Sequence, residues 1–277
     1  MLATIVIPTH DHGATIRYAL ASALAQTVRD LEVFIVGDGV PEESRPMLRE
    51  LARSDPRVRW FDHPKHERRG EPYRHAALQE ARGEIVCYLC DRDLYFPDHV
   101  ACMRRLLERS DFASTFSLHL LPDGKRILFP MDLAIPAFRQ LLLNGRNGVA
   151  FSCAAHTLEA YRRLPQGWRT TPAGMATDVY MFQQFLAQPW CRAASGHLPT
   201  ALTFPSPPRL QWGGEQRTAE LDRWSRRIAA EQDRTQLRLE IMEGALKDRD
   251  RLLASWMVSS AGLARRLRDR ESKLTDL

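Results

Sequence analysis

Two aspartates separated by one residue, Asp91 and Asp93, end the apolar run Glu84-Ile85-Val86-Cys87-Tyr88-Leu89. Carboxylates so spaced at a strand end can offer oxygen ligands to a hard divalent cation, or can cap the turn that leaves the strand. A lone Asp-x-Asp matches often by chance. Two other polar clusters also end apolar runs, Pro8-Thr9-His10-Asp11 and Gly37-Asp38-Gly39, and three such ends together say more than one. Histidine is less informative. His10 and His12 form an H-x-H pair without further ligands, a weak zinc signature. Cys87-Tyr88-Leu89-Cys90 matches C-x-x-C but lies within and at the end of an apolar strand rather than opening a helix, so packing explains it better than redox chemistry.

The elements that must position these groups alternate. Residues 3–7, 31–36, 58–61 and 84–89 read as strands, and helical spacing of apolar residues marks 15–25, 41–53, 74–81 and 98–109. Strands alternating with helices predict an open α/β sheet, largely parallel and flanked by helices, in which ligands sit beyond the carboxyl ends of the strands. A Pro/Gly-rich segment, Phe204 to Gly214, marks a boundary or a mobile loop, with Trp212 in a position to act as a lid or a linker residue. Residues 62–69 read as a basic, polar surface loop. From about Arg217 the composition shifts to Arg, Glu, Asp, Leu and Ala. There Leu221, Ile228, Met242, Trp256 and Leu263 share one heptad position, and Leu239, Leu246, Leu253, Leu267 and Leu274 share another, with Arg249 and Arg270 interrupting the first set and Ser225, Gln232 and Ser260 the second. A helical hairpin or a dimerising helix would tolerate those breaks. The expected organisation is therefore a body over 1–214, divided into halves 1–105 and 106–214, and a helical, coiled-coil-like extension over 215–277.

Composition bounds the rest. The 277 residues are 44% hydrophobic and 26% charged, with no apolar run near the roughly 20 residues a membrane span needs. The opening residues read as a strand, not a signal peptide, so cytoplasmic residence, with peripheral association at the inner face of a membrane as an option, is the expectation. Five cysteines without repeating spacing argue against a disulfide framework. A net charge of +5 suits an anionic partner, but no aromatic-plus-basic signature points to nucleic acid.

The order of these motifs resembles the family-2 inverting glycosyltransferases of the GT-A fold. The resemblance runs through Pro8-Thr9, Ala25-Gln26-Thr27, Leu31-Glu32-Val33 to Gly37-Asp38-Gly39, then Arg82-Gly83-Glu84 into Asp91-Arg92-Asp93-Leu94-Tyr95-Phe96-Pro97-Asp98. It is strong over residues 3–105 and scattered to about residue 200. It implies a nucleotide-binding set of Pro8, Thr9, Asp38, Arg74, Asp91 and Arg92, with Asp38 accepting from the base and a UDP-sugar as the favoured donor. It implies Asp91 and Asp93 as ligands of Mn²⁺ or Mg²⁺ on the donor diphosphate. It also implies a catalytic base in the second half, and Asp178 fits, standing where a polar turn meets an amphipathic helix; the residue types alone would equally make Thr177 or Asp178 a helix cap. Arg74 alone reads equally as a solvated helix residue. His156, where relatives often begin a helix facing the acceptor, and Trp212 are further candidates, although His156 and His197 also fit structural roles. This chain departs from many members in having Gly37 before Asp38 and a cation, Arg92, between the paired aspartates.

The resemblance implies transfer of a sugar to a hydroxyl of a glycan, lipid-linked or protein acceptor in surface polysaccharide, lipopolysaccharide or glycoprotein assembly. Two other readings stand beside it. A nucleotidyltransferase would carry a Gly-rich basic loop after the first strand, which Pro8 to Gly13 lacks. A non-catalytic scaffold would use the terminal helices to oligomerise.

Overall fold

The computed structural model describes residues 1–275; the side chains of residue 252 and of residues 261–275, which include the heptad positions Leu263, Leu267, Arg270 and Leu274, lie outside the described residues. The chain divides into two compact units, Met1–Ala229 and a second beginning at Ala230.

The first unit opens with β1 (Ala3–Thr9), α1 (Ile16–Leu24), β2 (Leu31–Gly37), α2 (Arg45–Ser54), β3 (Val58–Phe61), α3 (Glu71–Gln79) and β4 (Ile85–Tyr88). It continues through β5 (Leu94–Tyr95), α4 (His99–Leu107), β6 (Phe112–Thr115), β7 (Ser117–Leu120), β8 (Arg126–Phe129) and α5 (Pro136–Leu143). It ends with β9 (Ala154–Thr157), α6 (Leu158–Arg163), α7 (Thr177–Leu186), β10 (Ala193–Gly196), β11 (Ala201–Thr203) and α8 (Gly214–Ala229). The main sheet has the order β10-β6-β9-β4-β1-β2-β3, parallel throughout except for β9, which runs antiparallel to both its neighbours. A second sheet, β5-β11-β7-β8, is mixed.

The expected strands and helices of the first hundred residues are all present. The third helix starts earlier than its apolar spacing predicts, at Glu71, because Gly70 takes φ +67° ahead of it and Pro72 fits the first turn. The main sheet is buried on both faces, as a sheet covered by helices must be. Ile5, Ile7, Val33, Ile35 and Cys87 pack on the side of α1 and α4, while Val6, Phe34, Val36, Val86 and Tyr88 pack on the side of α3, α6 and α7.

Two buried polar side chains and one close backbone approach fix the strand ends. Glu32, 1% exposed, accepts from the Thr4 hydroxyl at 2.8 Å and the Arg82 N–H at 2.7 Å. Gly83 lies so close to β1 that a Cβ there would stand 2.3 Å from the Thr4 nitrogen, which accounts for glycine after Arg82. Gln26, fully buried, donates to the Phe96 carbonyl at 2.9 Å and accepts from the Val100 N–H at 2.9 Å. The segment that follows Asp93 is thereby pinned to the end of α1.

The first unit continues past the Pro/Gly segment, because α8 packs on α1 and on the short turn at Gly13–Thr15. Leu221, Trp224 and Ile228 are buried there, so Leu221 and Ile228 serve the body rather than an exposed heptad stripe. The second unit is a 45-residue helix, α9 (Glu231–Thr275). No helix among the described residues is long and apolar enough to cross a membrane.

Candidate functional site

The carboxyl ends of β1, β2 and β4 open into one cavity of about 740 Å³. Pro8, Thr9, Asp38, Arg74, Asp91, Arg92, Asp93 and Asp178 all line it, so eight of the positions singled out from sequence share one space. Parallel neighbours bring the first of these together. The Asp38 N–H donates to the Thr9 carbonyl at 3.0 Å, and the Thr9 hydroxyl donates to Asp91 Oδ2 at 2.8 Å.

The paired aspartates have different surroundings. Asp91 Oδ1 lies 3.0 Å from His12 Nδ1 and 3.9 Å from an Arg92 nitrogen. Burial pushes its carboxyl up, but the hydrogen bond and charge of His12, with Arg92 and Thr9, outweigh that, and its pKa falls below the ordinary value. Asp93 Oδ2 accepts from the Ser152 hydroxyl at 2.6 Å and Oδ1 from the Phe204 N–H at 2.9 Å. There burial dominates and the carboxyl is pushed up. Arg92 leans away from the pair's centre, its Nε donating to the Phe204 carbonyl at 3.3 Å; the acids around it hold its pKa up against burial.

Among the described residues, no three His, Cys, Asp or Glu side chains converge to cage an ion. A carboxylate offers about four acceptor lobes, and the contacts above leave some of them on Asp91 and Asp93 unused. One or two such carboxylates fit an ion of the Mg²⁺ type, which takes its remaining ligands from substrate phosphates and water.

Asp38 holds the loop 65–70. Lys65 Nζ lies 2.6 Å from Asp38 Oδ2, and the His66 N–H donates to Oδ1 at 2.6 Å. Lys65, Glu67, Arg68 and Arg69 line the cavity, so this segment is part of the site and not the detached surface loop its polarity suggests. Arg74, 4% exposed, stacks its guanidinium 4.4 Å from the Trp168 ring centroid. Its Nη1 donates to the Arg69 carbonyl at 3.0 Å, while Nε and Nη2 have no hydrogen-bond partner. It is not a solvated helix residue. Buried donors without partners beside a cavity are suited to an anionic or carbonyl-bearing ligand.

Asp178 sits in the first turn of α7. The helix N-cap is Ala176, with no side-chain cap bond, and Asp178 Oδ1 accepts from the Val179 N–H at 2.9 Å while Oδ2 accepts from Asn147 Nδ2 at 3.0 Å. Burial raises its pKa against those hydrogen bonds and the nearby Arg69. A carboxylate with a raised pKa is a stronger base, so the group can take a proton from a hydroxyl placed beside it.

Two expected residues fall elsewhere. His156 is fully buried in β9, its Nε2 2.7 Å from the Tyr88 hydroxyl and its ring packed on Tyr161 and Phe185, and it does not line the cavity. Burial pulls its pKa down to about 4, so it is a neutral core histidine. Trp212 lies beside the Arg209 guanidinium at 5.4 Å, and it is Phe204, Pro205, Ser206 and Pro207 that supply the cavity wall from that segment. His197 pairs with Asp132 at 3.0 Å, away from the site. His12, set aside in the sequence as a weak zinc signature, lines the cavity with Lys65, His119 and Asn147, while Ser152 holds Asp93; these positions depend on loops and on β7, which carry no local motif.

The Glycosyl transferase family 2 description matches residues 4–121. Over those residues, less than half of the chain, it is similar to glycosyl transferase family 2. Over 129 residues, 46% of this chain, it is 31% identical to the chondroitin synthase of Pasteurella multocida. The chain spans 13% of that protein's length and a minor share of other curated relatives it matches. Among solved structures it resembles S. aureus TarS 1-349 in complex with UDP-GlcNAc, with TM-score 0.60, 13% identity, and 74% of this chain and 59% of that one covered. It also resembles the mannosyltransferase PcManGT from Pyrobaculum calidifontis in complex with GDP-Man and Mn²⁺, with TM-score 0.53, 22% identity, and 73% and 56% covered. At these identities the likeness establishes the fold alone, that of GT-A glycosyltransferases.

Proposed function

We propose that this chain is a family-2 inverting glycosyltransferase that moves a sugar from a nucleoside-diphosphate donor to a hydroxyl acceptor. The observation that carries the reading is the meeting, in one cavity, of Thr9, Asp38 and Asp91 from the strand ends with Asp178 from α7. Thr9, Asp38 and the unpartnered donors of Arg74 hold the nucleoside and diphosphate. The acceptor oxygen attacks the anomeric carbon as the bond to the diphosphate breaks, and its proton passes to the Asp178 carboxylate. Negative charge develops on the leaving diphosphate, and Arg92, Arg74 and His12 are the cationic or donor groups of this chain beside it.

Asp93 and Asp91 are the residues that would hold a divalent cation, Mn²⁺ or Mg²⁺, which when bound supplies Lewis-acid stabilisation of the diphosphate. The two structural neighbours, one with UDP-GlcNAc and one with GDP-Man and Mn²⁺, support this class of donor and cofactor. A UDP-sugar is the favoured donor, and the acceptor is a glycan, lipid-linked or protein hydroxyl. A cytoplasmic location, peripheral at the inner membrane face, would suit such an acceptor.

Calorimetry with UDP and GDP, with and without Mn²⁺, followed by a nucleotide-sugar panel scored for donor hydrolysis, tests this reading. Metal-strengthened binding of one nucleotide and hydrolysis of its sugars are expected. No nucleotide binding at millimolar concentration would leave the non-catalytic scaffold as the function.

A further inference from the structure

We propose that Trp168 is a positioning residue for the sugar donor: its indole face holds the Arg74 guanidinium and aims it at the donor's diphosphate. The inference rests on the nucleoside-diphosphate reading of the site. Trp168 itself does not line the cavity, whereas Arg74 does.

Among the described residues, Arg74 is a buried cation with no ion-pair partner. Only 4% of it is exposed, and burial works against its charge. Glu71, the acid that acts on it most, spends its oxygens on the Arg69 and Thr171 N–H groups and the Thr177 hydroxyl. Nη1 donates to the Arg69 carbonyl at 3.0 Å, while Nε and Nη2 have no hydrogen-bond partner. What covers the guanidinium is the Trp168 ring, its centroid 4.4 Å from the Arg74 Cζ. The negative face of an indole is the best aromatic partner for a cation, and the contact strengthens when water is excluded. A ring face takes no conventional hydrogen bond from the edge of the guanidinium. It therefore supports the charge and leaves Nε and Nη2 for a ligand.

Trp168 is held at both its backbone and its ring. Its backbone N–H donates to the Tyr161 hydroxyl at 3.0 Å, and that hydroxyl lies 2.8 Å from Nδ1 of His75, the residue after Arg74 on α3. Its indole Nε1 donates to the Tyr88 hydroxyl at 2.8 Å, so the Tyr88 proton is directed to His156 Nε2 at 2.7 Å. His156 Nδ1 lies 2.9 Å from the Thr157 carbonyl, which places the proton of the neutral ring on Nδ1 and leaves Nε2 to accept. The hydrogen bonds thus run in one direction, from Trp168 through Tyr88 and His156 to the backbone of β9. The core histidine sets the tyrosine, the tyrosine sets the indole, and the indole sets Arg74.

Calorimetry on the full chain, comparing UDP with uridine and GDP with guanosine, tests the proposal in Trp168→Phe and Trp168→Leu, each also combined with Arg74→Gln. Trp168→Leu removes the ring face and should weaken binding of the nucleoside diphosphate roughly tenfold, the size of a desolvated cation–π contact, while the nucleoside binds as before. Trp168→Phe keeps a smaller face and should lose part of that factor. In the Arg74→Gln background neither substitution should cost further affinity. Equal losses for diphosphate and nucleoside would confine Trp168 to packing and overturn the proposal. Where circular dichroism shows that Trp168→Leu does not fold, Trp168→Phe decides alone, and diphosphate binding at the parental affinity in that variant overturns it. A parent chain that binds neither UDP nor GDP overturns the transferase reading and this inference together, whereas a binding parent with unaffected Trp168 variants overturns the inference alone.

Discussion

The Thr177 hydroxyl donates to Glu71 Oε1 at 3.3 Å, joining the first turn of the helix that bears Asp178 to the first turn of α3. Glu71 is fully buried and also accepts from the Thr171 N–H at 3.3 Å and the Arg69 N–H at 2.9 Å. One carboxylate therefore ties the loop that wraps Asp38 to the segment that delivers Asp178. Burial pushes its pKa up, but those hydrogen bonds and Arg74 hold it below the ordinary value. Its stabilising contribution is thus present above the unfolded carboxylate pKa and is lost as pH falls through the lower folded one.

Glu71→Ala should leave three donors short of an acceptor and cost about 1–3 kcal/mol of stability, read as a lower melting temperature. At permissive temperature kcat should fall while KM for the donor changes little, because the misplaced group is Asp178. Glu71→Gln keeps an acceptor and should recover part of the loss. An equal rise in donor KM for both variants would instead assign Glu71 to nucleotide binding.

For Asp178, both the substitution and the pH profile are informative. Asp178→Asn should abolish transfer and spare nucleotide affinity; near-normal turnover would remove Asp178 from the role of base. The base acts only when ionised, so kcat should rise with pH through a value above the ordinary carboxylate range near about 4. Asn147 donates to Asp178 and favours its charged form. Asn147→Ala should therefore move the acid limb further up in pH.

His12 and Asp91 couple the first loop to the metal motif at 3.0 Å. His12→Ala should leave Asp91 buried with one partner fewer, raise its pKa, and weaken nucleotide binding more at mildly acidic pH than at alkaline pH. Asp93→Asn tests the other half of the motif. Mn²⁺ should then no longer strengthen UDP binding in calorimetry, with the melting temperature measured alongside to show that the fold is kept.

The β1 to β4 region was legible because its strands are apolar runs buried on both faces, and because the polar residues that end them are local in sequence. Thr9, Asp38, Asp91 and Asp93 stand where strand-end placement put them. The 65–70 loop was not, since its role depends on Asp38 capturing Lys65 Nζ and the His66 N–H, a contact 27 or 28 residues away that leaves no periodic trace. His156 misled because a polar residue before a helix looks available for ligand, whereas the buried Tyr88 hydroxyl satisfies it from the adjacent strand. The limit of the body escaped detection for a related reason. The apolar residues of α8 repeat at the same interval whether they face α1 or another long helix, so Leu221 and Ile228 joined the heptad count.

What holds the Pro/Gly segment is a buried ion pair rather than the tryptophan that marks it in the sequence. Arg209, 2% exposed, donates from Nε and Nη2 to both carboxylate oxygens of Glu220 at 2.6 Å, and from Nη2 to the Leu120 carbonyl at 3.0 Å. Its Nη1 also donates to the Pro205 carbonyl at 3.1 Å, so the pair braces the residues that form the cavity wall. Removing one member of a buried pair leaves the other charge uncompensated and costs about 3–5 kcal/mol. Glu220→Ala should accordingly lower the melting temperature sharply, and at low temperature it should weaken donor binding through the loosened 204–207 wall. Trp212→Ala should have a much smaller effect on either measurement, because Trp212 covers the guanidinium without lining the cavity; a loss of donor binding in Trp212→Ala equal to that in Glu220→Ala would restore the tryptophan as a lid.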